Sequence, residues 1–409
     1  MKRCAAWRTR AARVAATTTD PVRRVRTVPA QHYRKAAPAE MLARLRPLAA
    51  AAGITRLADL TGLDRIGLPV FQAVRPMARS LAVSMGKGAH PAIARISALV
   101  ESIELHRAET IEGDGNFRPA RAHEAALWAR VPMAPGQPGL FDGDRPREWL
   151  AGHDLVGGGG MAVPLEMVSM DLARDVAPDI RQSSNGLASG ADRDEAIVAA
   201  LLELLEREGR ARWLERPHAA KRATRIALGA IPDRRIRAAL ARIAHAGLRL
   251  MAWDIGEGIG VPAYYCALVE MDRAATLVLP PGVGSACHPD PAAALMAAIG
   301  EAAQARIMFI AGARDDLEDE DYRDPAGKRL GIAKETLAFE PDGAQPFPAG
   351  PPWVAGDAVE LRDRLTERCR DAGADAIVCV DLGGGASGLA TVKLLAPGFG
   401  DHERPSAFA

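Results

Sequence analysis

Three features of the sequence predict a mixed α+β fold, with long acid-bearing helices packed on β-sheets. Helical and strand-like segments alternate irregularly along the 409 residues, so neither element class dominates. Hydrophobic residues make up 48% and charged residues 25%, a balance that buries a real core and keeps a wet surface. Three long helical stretches are apolar on most sides yet carry acids at helical spacing, where a core would exclude them.

Apolar spacing over 39–52 predicts the first helix, with Gly53 as its C-terminal cap. The runs LPVFQAV (68–74) and SLAVSM (80–85) predict strands joined by a turn around Pro76. The stretch 91–109 contains no internal Gly or Pro and predicts a long helix. Residues 111–165 are rich in Pro and Gly, with four glycines in a row at 157–160. Such a run cradles phosphate only between a strand and a helix N-terminus. The following MAVPLEMV contains Pro164 and reads as a strand, so 157–160 is expected to be a plain loop. A second long helix is predicted over 192–214, capped by Asp192 or Asp194. A helix over 231–246 and strands near 248–255 and 261–270 follow, and then a third long helix over 291–311. The acidic, Pro-rich stretch 315–356 reads as surface loop. A helix over 357–372 and strands over 376–382 and 389–395, around a glycine turn, complete the chain.

The formal charge is +1, which gives no reason to expect a nucleic-acid partner, but it is unevenly spread. Residues 1–35 hold ten Lys or Arg against Asp20 alone, so the rest of the chain is net acidic. This head lacks the apolar core of a secretory signal and is expected to be a disordered basic extension. No run of 18 apolar residues occurs, so no membrane span is expected. Cys4, Cys266, Cys287, Cys369 and Cys379 are scattered without a CxxC pair, which fits a reducing cytoplasm and argues against a zinc site. Cys287 lies in the segment leading into the third long helix and is expected to be a packed apolar side chain.

The acids carry the chemistry. Glu101 and Glu104 share a face of the first long helix, with Ser97 one turn earlier. Glu203 and Glu206 repeat the spacing on the second, where Glu195 lies near the start and Arg207 follows Glu203 by four. Glu301 and Gln304 stand three apart on the third, with Arg306 two further on. A single pair of this kind is ordinarily a solvated face. Buried carboxylates in number call for a cation, and oxygen donors select Mg2+, which bridges to phosphates. Arg207, Arg306 and Lys87 would then be available to phosphate oxygens. Spacing alone leaves open whether the three helices meet.

The stretch SSNGLASGADRDEAIVAALLELLERE (183–208) resembles the nucleotide-binding signature of the YcaO family, S-N-G-x-A-x-G followed by E-A and E-x-x-E-R. GEAAQARIMFIAGARDD (300–316) is similar to its E-x-x-Q-x-R element, and the first helix to its S-x-x-x-E-x-x-E element. The resemblance implies a YcaO fold over 36–400, with 401–409 as a tail, built around ATP and Mg2+. It implies Glu101, Glu104, Glu195, Glu203, Glu206 and Glu301 as metal ligands. Lys87, Ser97, Ser184, Asn185, Arg207, Gln304 and Arg306 are implied as ATP contacts. Leu105 and Ala191 depart from the pattern, standing where many or some members have Arg or another polar side chain. Helical geometry also turns Arg306 about 140° from Glu301.

Residues 53–88 and 284–317 are similar to members that work beside a TfuA-like partner and resemble backbone thioamide-forming enzymes. That likeness implies ATP-dependent activation of a peptide or protein amide, with an external sulfur donor. Azoline-forming relatives commonly end in a Pro-x-Pro-x-Pro tail, whereas this chain ends RPSAFA. The alternatives are azoline formation on a precursor peptide, or an accessory role in methylthiolation of a ribosomal protein. Homodimerisation stays open.

Overall fold

The computed structural model describes residues 33–113, 115, 117–131, 141–180, 182–270, 279–313, 344–348, 353 and 356–400. Its elements, in chain order, are α1 (Pro38–Ala51), β1 (Arg56–Asp59), β2 (Val70–Val74), β3 (Val83–Lys87) and α2 (Pro91–Glu109). Then come β4 (Phe117–Arg118), α3 (Ala122–Trp128), β5 (Arg147–Asp154), β6 (Gly160–Pro164), α4 (Leu165–Val168) and β7 (Leu187–Gly190). The middle holds α5 (Arg193–Glu215), α6 (His218–Ala223), α7 (Arg234–His245), β8 (Leu248–Asp254), β9 (Ala263–Glu270) and β10 (Gly282–Cys287). The last elements are α8 (Pro291–Ala311), α9 (Ala358–Asp371), β11 (Val378–Asp381) and β12 (Ala390–Leu395).

Three times the chain runs from a strand through two or three residues into a long helix: β3 into α2, β7 into α5, and β10 into α8. A side chain caps each start: His90 Nδ1 accepts from Ala92 N–H at 3.2 Å, Asp192 from Glu195 N–H at 3.0 Å, and Asp290 from Ala292 N–H at 2.9 Å. Each helix folds back over its own strand. The approach is so close that a Cβ on Gly86 would sit 2.1 Å from Ala98 N, and one on Gly284 2.5 Å from Ala302 N. Only glycine lets the helix lie there.

The three strands lie at the edges of three antiparallel sheets: β1-β2-β3, β10-β9-β8, and β4-β5-β11-β12-β7 with β6 beside β5. Each helix also touches the strand of the next unit, α2 on β7, α5 on β10 and α8 on β3, which closes a ring of three. The ring answers how acids on three separate helices reach one place. Around it, Ile197, Leu201, Leu204 and Leu205 of α5 bury against Trp253 of β8 and Leu361 and Leu365 of α9. Each fully buried aliphatic side chain of this size contributes roughly 1.5–3 kcal/mol.

The expected long helices and the later strands form, within a few residues of the expected bounds. Several expectations need correcting. The strand expected over 80–85 starts later, at Val83. The stretch MAVPLEMV is half strand: β6 ends at Pro164 and α4 follows. Gly158 and Gly159 take positive φ in the turn between β5 and β6, as a plain loop requires. Strands β7 and β10 (LASG and GVGSAC) were not expected, because small residues and glycine argue against strand in a one-dimensional reading. Residues 33–35, expected to belong to the disordered extension over 1–35, are part of the fold. Tyr33 is 7% exposed, Lys35 N–H donates to Glu195, and the Lys35 ammonium pairs with Asp192. The expectation for 1–32, nearly all of that for 315–356, and the 401–409 tail lie outside the described residues.

Among the described residues, α8 is the one helix long and apolar enough to cross a membrane by length and composition. Here it is largely a core helix, with Ala294, Leu295, Ala298, Ile299 and Ala302 buried against β9, β10 and α7.

Candidate active site

The ring brings five of the predicted acids into one electrostatic field. Glu101 and Glu104 project from α2, Glu203 and Glu206 from α5, and Glu301 from α8. Three of these acids bond to the next unit's edge strand. Glu104 accepts from Ser189 of β7, Glu206 accepts from Ser285 Oγ of β10 at 2.6 Å, and Glu301 accepts from Lys87 Nζ of β3 at 2.7 Å.

Burial and mutual repulsion make this an uncomfortable place for negative charge. Glu104 is pushed up to about 8, first by burial and then by Glu101 and Glu203. Glu206 is pushed up to about 7 by burial and by Glu301. Glu203 is raised by burial, against the opposing pull of Arg207, 3.6 Å away, and of Lys393. Glu301 is held down: burial works to raise it, and the Lys87 ammonium, with Arg207 and Arg210, outweighs burial. Lys87 in turn is held protonated by Glu301, Glu206 and Glu101, against its own burial. Lys87 thus serves three carboxylates and Arg207, Arg210 and Lys393 add positive charge, yet Glu104 and Glu206 still stand well above the usual carboxylate range.

Donors of this kind suit Mg2+, all being oxygens whose repulsion a divalent cation would relieve. Among the described residues, no three His, Cys, Asp or Glu side chains stand close enough together to hold an ion as they are. An incoming ion would therefore draw the carboxylates inward or reach some of them through water.

The other predicted residues divide. Ser97 is half-buried one turn before Glu101, and Gln304 sits one turn after Glu301, its buried Oε1 without a hydrogen bond among the described residues. Ser184 and Asn185 form the turn into β7: the Ser184 carbonyl accepts Leu187 N–H at 2.9 Å, and Asn185 Nδ2 donates to the Gly400 carbonyl at 3.0 Å. The turn presents the Gly186 N–H to Glu203.

Two assignments change. Arg306 does not join the acids. It is 4% exposed and ion-paired with Asp64 at 3.1 Å, on the far side of α8 as its 140° offset requires. Glu195 stands at the start of α5, 1% exposed, with Oε1 accepting Lys35 N–H and Oε2 accepting Ala191 N–H at 3.1 Å. Its carboxylate fastens the 33–35 segment and pairs with Arg34 at 3.7 Å. The Arg34 guanidinium also feels Glu104, so this segment closes one side of the acid cluster.

Sequence reasoning missed Arg34, Ser189, Ser285 and Lys393. Lys393 is 2% exposed on β12, donates to the Ser183 carbonyl and, at 2.6 Å, to the Asn185 carbonyl, and faces Glu203. A lone Lys inside the apolar strand TVKLL was a readable signal; the two serines, in strands that were not expected, were not. The described cysteines are all free and buried, and burial raises their thiols, Cys379 to about 11, so none is poised as a nucleophile.

The site is thus a ring of edge strands carrying acid-bearing helices, with cations and hydroxyls on the strands. Residues 85–400 match the family described as YcaO cyclodehydratase, ATP- and Mg2+-binding, and the chain belongs to the YcaO family. It is 36% identical over 299 residues to an uncharacterised protein of the tfuA 3′ region of Rhizobium leguminosarum bv. trifolii, covering 71% of each chain. The fold is similar to that of YcaO from Methanopyrus kandleri bound with AMPPCP and Mg2+, at TM-score 0.66 and 23% identity, covering 89% of this chain and 92% of that one. It is also similar to a heterocyclase in complex with substrate and cofactor, at TM-score 0.70 and 18% identity, covering 89% of this chain and about half, 53%, of that longer one.

Proposed function

We propose that this chain uses ATP to activate a backbone amide of a peptide or protein, and that the product is a thioamide made with an external sulfur donor beside a TfuA-like partner. The observation that carries the activation step is the acid cluster. Five carboxylates from three helices act on one another, and two of them are pushed up to about 7 and 8 despite the cations around them, a repulsion that Mg2+ arriving with the nucleotide would relieve. The thioamide branch rests on the likeness to the protein of the tfuA 3′ region.

In this reading Glu101, Glu104, Glu203, Glu206 and Glu301 hold Mg2+. Lys87, Arg207, Ser97, Gln304 and the turn of Ser184 and Asn185 contact the nucleotide. Bound Mg2+ would supply charge neutralisation at phosphate oxygens. Lys87 and Arg207 orient the triphosphate, Lys393 and the Gly186 N–H keep Glu203 in place, and Arg34 closes the cluster toward the substrate side. Hydrosulfide adds to the amide carbon, and the resulting oxyanion takes the γ-phosphoryl group. The nitrogen lone pair then expels phosphate, and loss of the proton from sulfur leaves C=S. The amide oxygen ends in inorganic phosphate, and no oxidant or reductant is consumed.

The family description as a cyclodehydratase supports a second reading, in which a Cys or Ser side chain of the substrate adds instead of sulfide. Mass spectrometry separates the two. With the cognate peptide, partner, sulfide and ATP, a gain of about 16 Da with release of ADP and phosphate is expected. A loss of about 18 Da without any need for sulfide would establish ring closure and overturn the thioamide assignment.

A further inference from the structure

Outside the acid cluster the molecule carries a second concavity. A cavity of about 370 Å³ lies at the start of α8, walled by Tyr33, His288, Phe347, Trp353, Leu361 and Pro232. Its walls are aromatic and aliphatic. Tyr33 and His288 stack at 5.8 Å, and Phe347 packs on Tyr264 at 5.9 Å. The imidazole is part of the apolar wall: its Nδ1 accepts Asp290 N–H at 2.9 Å, which leaves the proton of the neutral ring on Nε2. Burial favours that neutral form, lowering the group to about 4. The Nε2–H has no acceptor among the described residues, a deficiency that a carbonyl oxygen would remedy.

Asp233, Arg235 and Asp290 are the charged residues of the lining, with Arg235 paired to Asp233 at 2.8 Å, and beyond them an arginine-rich face extends from the start of α7. Residues 216–249 hold nine Lys or Arg against the single acid Asp233, and Arg222, Arg234, Arg237, Arg242 and Arg249 are exposed. The lining also adjoins the acid cluster, because Tyr33 lines the cavity and the next residue, Arg34, feels both Glu195 and Glu104.

We infer that this cavity docks the substrate peptide: it takes a bulky apolar side chain, while acidic residues flanking that side chain lie along the arginines of α6 and α7. Aromatic walls bind one large side chain, the imidazole N–H takes a peptide carbonyl, and the basic face selects acidic flanks and speeds encounter. The path past Tyr33 and Arg34 then leads the chain toward the acids. The identification of the occupant as substrate rests on the amide-activation reading, whereas the docking itself needs no ATP.

The test uses the full chain without nucleotide or sulfide, and a fluorescein-labelled decapeptide with one Phe between two pairs of Asp, read by anisotropy. Replacing Phe by Ala, or Asp by Lys, should weaken binding at least tenfold, and raising salt from 50 to about 300 mM should weaken the acidic peptide alone. The variant F347A should weaken the Phe peptide about tenfold. The variant R234E/R237E, on an exposed face that does not support the core, should do the same for the acidic flanks. Both should keep wild-type ATP affinity, measured in parallel. Loss of ATP affinity in wild type with peptide docking intact would strike at the proposed reaction and leave the docking site standing. Equal binding of all three peptides, tighter binding of a single-stranded oligonucleotide than of the Phe peptide, or burial of this face in a dimer by sedimentation would overturn the inference.

Discussion

Helix α2 carries two kinds of buried acid, and the contrast between its middle and its end shows how the molecule separates structure from chemistry. At the end, Glu109 is 3% exposed and faces Arg75, also 3% exposed; Arg75 donates twice to it, and Ser80 adds its N–H at 2.8 Å and its hydroxyl. Burial works to raise this carboxyl, and these hydrogen bonds outweigh it, so Glu109 sits below the usual carboxylate range. One turn and more earlier, Glu104 has serine and distant arginine for company and two other acids in its field, and it is pushed up to about 8. The same residue type on one helix is neutralised by the protein in one place and left for a ligand to neutralise in the other.

Breaking the comparison at the active end should give the largest effect. The variants E203A and E206A should lower ATP-dependent turnover at least a thousandfold, the scale on which removal of transition-state charge stabilisation acts. The melting temperature of E206A without ligand should not fall, since the change removes a carboxylate that burial and Glu301 disfavour. A lower melting temperature with turnover retained would show that these acids are structural, like Glu109.

At the structural end the expectation reverses. E109A leaves Arg75 buried without its partner and should cost about 3–5 kcal/mol of stability, read by urea unfolding. Turnover per folded molecule should change little. A stability loss below 1 kcal/mol would remove the contrast on which the comparison stands.

The smallest effect sharpens it. Glu104 binds a proton more tightly in the folded chain than its ordinary value, so ionising it opposes folding. Without ligand, stability contributed by its protonated form is present below its ordinary value and is lost as pH rises through about 8. E104Q should therefore raise the melting temperature by about 2–4 °C at pH 8 and leave it unchanged at pH 4. Saturating Mg2+ and ATP should stabilise wild type and not E104Q at pH 8. An E104Q curve parallel to wild type at every pH would show that Glu104 is not under strain.

Much of this was legible in one dimension. The long helices announce themselves by length and apolar periodicity, and the acids by their spacing on surfaces too apolar to be solvated. Glu101, Glu104, Glu203, Glu206 and Glu301, five of the six acids expected at a metal site, act on one another across three helices, because residues three apart share a face whatever the helix packs against. Arg306 was excluded from that face by the same geometry, and its partner Asp64 lies 242 residues away in the chain. Glu195 shows where spacing stops informing: its backbone donors come from Lys35 and Ala191, and only the docked 33–35 segment reveals it as a clamp.

What the sequence determined by itself, then, is local: which segments are helical, which faces carry carboxylates, and that such faces need a cation. Tertiary structure decided the rest. Strands as poor in β-formers as LASG and GVGSAC exist because a helix presses on each, and glycine is required there because a Cβ on Gly190 or Gly284 would collide with the helix backbone. The pairing of each helix with the next unit's strand sets Ser189, Ser285 and Lys87 against Glu104, Glu206 and Glu301. Those partners are far apart in sequence, and their meeting depends on the closure of a ring, which no local periodicity encodes.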